Sequence, residues 1–237
     1  MKLTPRLQKI ANLIDKGSKV IDVGTDHGYI PLYLIINNLI QKCIATDVNI
    51  GPLNAAKKTL EKYGVKQKVD FRLGSGLLVL EKTDDIDTAI IAGMGGETII
   101  SILEEAPSFS KELTLIIQPM TEVSTVREYL DKNGWEIIDE DIAKEGHRFY
   151  EIIKAKKKRS TTFLSYKQYR FGPILLEKKE DSFVSYLKKQ YEKNRKILNF
   201  LEKGSNTGNI KEGLVADNNL IKEVLEEIES TGDNSKN

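Results

Sequence analysis

"VIDVGTDHGYIP" runs from Val20 to Pro31 and decides the fold. Its first four residues read as a short buried strand. Gly24 and Gly28 then break the chain, and an apolar, helix-like run follows. A strand that ends in a glycine turn and feeds a helix opens many nucleotide-binding units. One position departs from that pattern. The dinucleotide fingerprint G-x-G-x-x-G keeps its second glycine so that backbone can approach a pyrophosphate. Here Asp26 stands at that place, and a carboxylate facing a phosphate is repelled.

Upstream, "TPRLQKIANLID" (4–15) predicts a helix. Thr4 can cap it, Pro5 suits its first position, and Leu7, Ile10, Ala11 and Ile14 share one face. Downstream, strand and helix alternate. "CIATDV" (43–48), "KVDFRLG" (68–74), "DTAIIAG" (87–93) and "LTLIIQP" (113–119) read as strands. "GPLNAAKKTLEKYG" (51–64), "GGETIISILEEA" (95–106) and "EVSTVREYLDKNG" (122–134) read as the helices between them. Such alternation predicts a parallel sheet with helices on both faces. "WEIIDEDIA" (135–143) and "HRFYEIIKA" (147–155) differ, because two strands joined by a short turn must be antiparallel. The expected fold is α/β and Rossmann-like: a mostly parallel seven-stranded sheet with a reversed terminal strand. That is the layout of class I S-adenosylmethionine-dependent methyltransferases.

Beyond Lys156 the pattern becomes helical. Phe183, Leu187, Tyr191, Asn194, Leu198 and Leu201 recur every three to four residues, and Ile210, Leu214, Ile221, Leu225 and Ile228 follow after "GSNTG". This predicts a C-terminal α-helical, coiled-coil-like hairpin. The expected domains are 1–155 for the α/β unit and 156–230 for the hairpin, with 231–237 a disordered tail.

The 237 residues carry a net charge of +1, but the charge is segregated. Residues 156–203 hold 14 Lys/Arg against 5 Asp/Glu, while 1–155 hold 19 against 23. A basic block of this kind is a candidate polyanion surface, or else a solvated helix face. One cysteine, Cys43, and two histidines leave no basis for a disulfide or a structural metal site. No signal-peptide pattern opens the chain, and the longest apolar run, Tyr29 to Ile40, is too short to span a bilayer. A cytoplasmic protein with no membrane or metal partner is expected, as a monomer or weak homodimer.

Ligands of open α/β sheets bind at the carboxyl ends of the strands. Those ends carry Gly24 to Gly28, Asp47 and Val48, Gly74-Ser75-Gly76-Leu77, Gly93-Met94-Gly95, and Gln118-Pro119. Asp47 lies about 20 residues beyond the first glycine turn, where an acid accepts from ribose hydroxyls. Asp22, Asp26 and Asp47 together suit a ligand with cationic sulfonium and ammonium groups better than one with phosphates. Asp22 can alternatively be a strand-end residue that holds loop amides.

At this point "VIDVGTDHGYIP", "ATDV", "GSGL", "AGMGG" and "IIQP" together resemble the TrmK family, bacterial tRNA (adenine-22, N1)-methyltransferases. The resemblance implies methyl transfer from S-adenosyl-L-methionine to N1 of an adenine in tRNA. It also implies that Asp22, Gly24, Gly28 and Asp47 hold the methionine and ribose parts, that Gly74 to Leu77 flank the cofactor adenine, and that Arg6 meets the methionine carboxylate. Many class I enzymes bind the adenine amino group with an acid in that third loop, where this chain has Ser75.

Enzymes that methylate the exocyclic amino group carry Asn/Asp-Pro-Pro-aromatic after the fourth strand. This chain has Gly93-Met94-Gly95-Gly96 there, which favours a ring nitrogen. Asp26 is the candidate catalytic carboxylate, beside the developing cation. His27 and Tyr29 can stack on or bond the base, and His27 can also touch the cofactor. Met94, Gly95, Gln118 and Pro119 are expected around the substrate, although Tyr29 can equally be helix packing. Lys157, Lys158, Arg159 and Arg170 are expected phosphate contacts. Two other readings stay open on the residues alone: a methyltransferase of a protein or small molecule, and a non-catalytic RNA-binding module.

Overall fold

A computed structural model describes residues 1–158, 162–201 and 208–233. Helix α1 (Pro5–Asn12) starts as expected, with Thr4 Oγ1 accepting from the Leu7 N–H and proline in the first turn. Strands β1 (Ser18–Val23), β2 (Ile40–Asp47), β3 (Val69–Leu73), β4 (Thr88–Met94), β5 (Thr114–Pro119), β6 (Trp135–Glu145) and β7 (Arg148–Lys157) form one sheet in the order β3-β2-β1-β4-β5-β7-β6. β1 pairs in parallel with β2 and β4, and β7 runs antiparallel to both β5 and β6. The reversed strand is therefore the seventh, inserted between the fifth and sixth. The strand order turns back between β1 and β4, which opens the crevice where ligands of such sheets bind.

Alternation along the strands builds two cores. Ile21, Ile91, Ile117 and Ile153 face one way, where α4 (Gly96–Glu105) and α5 (Val123–Lys132) add Ile99, Leu103, Val126 and Leu130. Val20, Ile90, Ile116 and Ile152 face the other way, where α1 adds Ile10 and Ala11, and α2 (Tyr29–Ile36) adds Ile30 and Leu34. Helix α3 (Ile50–Lys62) closes the β2–β3 end of the sheet, with Leu60 packed beside Cys43, Ala45 and Val69. A two-residue period in the strands and one apolar stripe per helix are enough for this three-layer arrangement.

Under α5 lies a buried ion network. Arg127 is fully buried; its Nε donates to Glu140 Oε1 at 2.7 Å and its Nη2 to Glu151 Oε2 at 2.6 Å. Nη1 reaches the Tyr169 carbonyl at 3.2 Å, and Glu140 Oε2 accepts from the Ile174 N–H at 2.9 Å. Burial works against the guanidinium charge, but the two carboxylates hold its pKa above the ordinary range. The network joins α5, β6 and β7 to α6 (Tyr166–Phe171) and the start of α7 (Pro173–Lys178).

A second clasp is Asp131, which binds the Lys158 ammonium, the Tyr169 hydroxyl and the Leu164 N–H. These contacts move the domain edge. The first compact unit runs to Ile174 and not to the expected residue 155, because Asp131 and Glu140 hold the segment beyond β7 against the sheet.

The second unit, 175–237, is a helix pair, α8 (Asp181–Leu201) and α9 (Gly208–Asp233). Phe183, Leu187, Ile221 and Val224 are buried, and Asn194 Nδ2 donates to Asp217 Oδ2 at 2.9 Å. Ile210, expected on the apolar face, is 62% exposed. Helix α9 runs through Asp233, two residues beyond the start of the expected tail at 231. Residues 234–237 lie outside the described residues.

Arg127→Leu should cost about 3–5 kcal/mol, because it strands two buried carboxylates. Urea unfolding followed by circular dichroism measures this.

Candidate active site

The carboxyl ends of β1, β2, β3 and β4 surround a cleft of about 1010 Å³. Its floor is Asp22, 5% exposed near the end of β1. The turn above it is pinned to the neighbouring strand: the Gly24 and Thr25 N–H groups both donate to the Thr46 carbonyl, at 2.9 and 3.0 Å. Gly24 has φ +71°, and a Cβ there would lie 2.3 Å from Met94 Cε. Met94 therefore roofs a gap that only glycine leaves.

Asp47 ends β2 and lines the cleft, with Oδ1 accepting from the Asn49 N–H at 2.8 Å. Its neighbour Val48 is exposed at the rim. Gly74, Ser75 and Gly76 form the next wall, and Gly93 and Met94 the one after. Arg6 reaches in from α1, with Nη1 2.8 Å from Gln118 Oε1.

Asp26 sits on the loop with its side chain 72% exposed and φ +48°, a left-handed conformation that aspartate tolerates better than most residues. His27 Nε2 lies 3.7 Å from Asp26 Oδ1, and the His27 ring stacks on Tyr29 at 5.4 Å between centroids. Tyr29 is 44% exposed, so it is not simple core packing at the start of α2.

Several expected site residues lie elsewhere. Gly28 is buried and does not line the cleft; a Cβ on it would meet Leu60 Cδ1 at 2.8 Å and Ala56 Cβ at 3.0 Å. Its glycine is required by close packing of α2 on α3. Leu77 is buried in the core, 1% exposed. Gln118 and Pro119 are buried, and neither they nor Gly95 line the cleft.

Among the basic positions, Lys158 is bound to buried Asp131 and covers the Phe163 ring at 4.4 Å, so its geometry is structural. Lys157 is exposed and pairs with Glu112. The Arg170 guanidinium lies 4.8 Å from the Phe171 ring centroid. Arg159 lies outside the described residues.

Sequence reasoning missed Glu97, Glu105 and Glu145 in the lining. Glu145 comes from β6, far along the chain. Its Oε1 accepts from the Arg6 N–H at 2.7 Å. Partial burial works against the charge, but bonds from Thr4 and the Arg6 N–H hold its carboxyl below the usual range. The lining thus has six carboxylates, Asp22, Asp26, Asp47, Glu97, Glu105 and Glu145, against one guanidinium, Arg6. That donor set fits a cationic ligand and not a pyrophosphate. Among the described residues no group of acidic, histidine or cysteine side chains is placed to hold a metal ion, and no helix is long and apolar enough to cross a membrane.

A mostly parallel sheet with one reversed strand, carrying an acidic cleft at its switch point, defines a class I S-adenosylmethionine-dependent methyltransferase. The TrmK family model, described as tRNA (adenine(22)-N(1))-methyltransferase, matches residues 20–229. The Bacillus subtilis tRNA (adenine(22)-N(1))-methyltransferase is 32% identical over 234 residues, 95% of this chain and 98% of that protein. The Streptococcus pneumoniae Sp1610 protein, solved with S-adenosyl-L-methionine, superposes with a TM-score of 0.84 at 34% identity, covering 94% of this chain and 100% of that one. Mycoplasma capricolum TrmK, solved with S-adenosyl-homocysteine, gives 0.78 at 29% identity, covering 97% and 99%.

The chain belongs to the TrmK family of tRNA (adenine(22)-N(1))-methyltransferases, and its methyl donor is S-adenosyl-L-methionine.

Burial pushes the Asp22 carboxyl up to about 7, with the Asp47 carboxylate adding to the rise. A cation binds the ionised form better, so affinity for the donor should fall as the pH drops through 7. A loss of about tenfold from pH 8 to pH 6 is expected by calorimetry, and Asp22→Asn should flatten that dependence.

Proposed function

We propose that the cofactor lies along this cleft with its ribose on Asp47, its ammonium and sulfonium over Asp22, and its methionine carboxylate facing Arg6. The cofactor adenine sits between Ser75, Gly76 and the α4 wall. Adenine 22 of the tRNA then enters beside Asp26, His27 and Tyr29. The six-to-one excess of carboxylates in the lining carries this reading.

The chemistry is an in-line displacement. The in-plane lone pair of N1 attacks the methyl carbon, the methyl–sulfur bond breaks, and its electron pair stays on sulfur. The product adenine is cationic and no proton needs to leave. The protein's main task is to hold N1 against the methyl group. A carboxylate near the ring lowers the barrier by stabilising positive charge that develops only in the transition state. Asp26 serves this role, or accepts a hydrogen bond from the exocyclic amino group. The stacked His27–Tyr29 pair offers a flipped base an aromatic face.

Exposed cations of the helical unit, Lys188, Lys189, Lys193 and Lys196 among them, contact tRNA phosphates in this reading. Among the described residues of that unit, exposed large apolar side chains are few (Phe200, Ile210 and Val215), which supports a monomer or weak homodimer. The enzyme acts in the cytoplasm, where its substrate is.

Asp26→Asn keeps the shape and the tolerance for positive φ while removing the charge. It should lower kcat by about 100-fold with donor affinity unchanged. Single-turnover methylation of tRNA checks this, and an unaltered rate would remove Asp26 from the reaction. Replacing Lys188, Lys189 and Lys193 with glutamate should weaken tRNA binding and flatten its salt dependence, as filter binding across a salt series would measure.

A further inference from the structure

Gln118, the residue before the last of β5, has no exposed surface and is out of reach of an RNA. Its Nε2 donates to the Pro119 carbonyl at 2.6 Å, which turns its Oε1 toward Arg6 Nη1 at 2.8 Å. Arg6 is fixed at two further points. Its backbone N–H donates to Glu145 Oε1, and its guanidinium carbon lies 5.5 Å from the Tyr150 ring centroid. Nη2 and Nε have no hydrogen-bond partner among the described residues, and Arg6 lines the cleft next to Gly93, whose added Cβ would lie 3.5 Å from Nη1.

A neutral acceptor at position 118 matters. A carboxylate there would neutralise the guanidinium, whereas an amide oxygen orients it and leaves its charge intact. The remaining N–H fork then matches a carboxylate in geometry as well as charge. In a cleft otherwise rich in carboxylates, this one cation is the group able to recognise the acidic end of an amino acid.

We propose that Gln118 is a positioning residue that aims Arg6 at the cofactor's methionine carboxylate, and that this pair makes the cleft select donors that carry the carboxylate. The inference rests on the reading of Arg6 given above. Decarboxylated S-adenosylmethionine is the discriminating probe, because it keeps the adenosine, sulfonium and ammonium groups and lacks only the carboxylate.

Calorimetric binding of both ligands to wild type, Gln118→Met, Arg6→Ala and the double variant tests it. Gln118→Met should weaken S-adenosylmethionine by about tenfold and change the decarboxylated ligand by less than about twofold. The double variant should bind S-adenosylmethionine no more weakly than Arg6→Ala alone, since both act on one contact. Equal loss of both ligands in Gln118→Met would mean general damage to the cleft and would overturn the proposal, as would losses that add in the double variant. If Arg6→Ala binds S-adenosylmethionine normally, the reading of Arg6 itself fails. If Arg6→Ala discriminates and Gln118→Met does not, that reading stands and the positioning role falls.

Discussion

A carboxyl group buried near the end of β1, with no ion-pair partner among the described residues, is the constraint around which this molecule is arranged. Asp22 sits under the glycine turn, and its burial holds the proton on until about pH 7. Such a group is costly in an empty protein and becomes favourable when a cation settles over it. The other cleft carboxylates point to the same ligand class. A sulfonium donor with an α-ammonium supplies that cation without bringing phosphates that the acidic lining would repel.

The rest of the fold makes that arrangement possible. The turn back of strand order between β1 and β4 opens the crevice, and the paired bonds to the Thr46 carbonyl fix the turn above Asp22. The reversed β7 between β5 and β6 completes the sheet, and the Arg127–Glu140–Glu151 network locks it beneath α5. That same end of the sheet carries Gln118, Glu145 and Tyr150, which together hold Arg6. Strands β6 and β7 thus contribute to both the buried charge network and the residues that hold Arg6.

Much of this was legible in the sequence, and the limits have physical causes. Local periodicity located all seven strands and helices α1 to α5, because a two-residue and a 3.6-residue repeat read directly as burial; the short α6 was not located. The acidic triad Asp22, Asp26 and Asp47 was legible because strand ends are where ligands bind. Gly28 packs against α3, which the sequence did not reveal, because a glycine marks a close approach without saying to what. Gln118 and Pro119 are buried at the end of β5, and a strand end read from sequence does not say how deeply its residues sit. Glu145 left no local signal, because β6 brings it to the cleft from 139 positions beyond Arg6. Lys158 looked like part of a basic surface, and only its partner Asp131 reveals it as a clasp. Arg127 and its two glutamates lie 13 and 24 positions apart in sequence, so nothing in the chain's pattern joins them.

The central claim is that this cleft brings a sulfonium methyl group to the ring nitrogen of one adenine in tRNA. Its most direct test is to incubate the purified protein and S-adenosyl-L-methionine with an unmodified tRNA bearing adenine at position 22, and then to map methylated nucleosides by mass spectrometry. A single 1-methyladenosine at position 22, absent when that adenine is replaced by guanine, is the predicted result. Methylation on the exocyclic nitrogen, at another nucleotide, or not at all would contradict it.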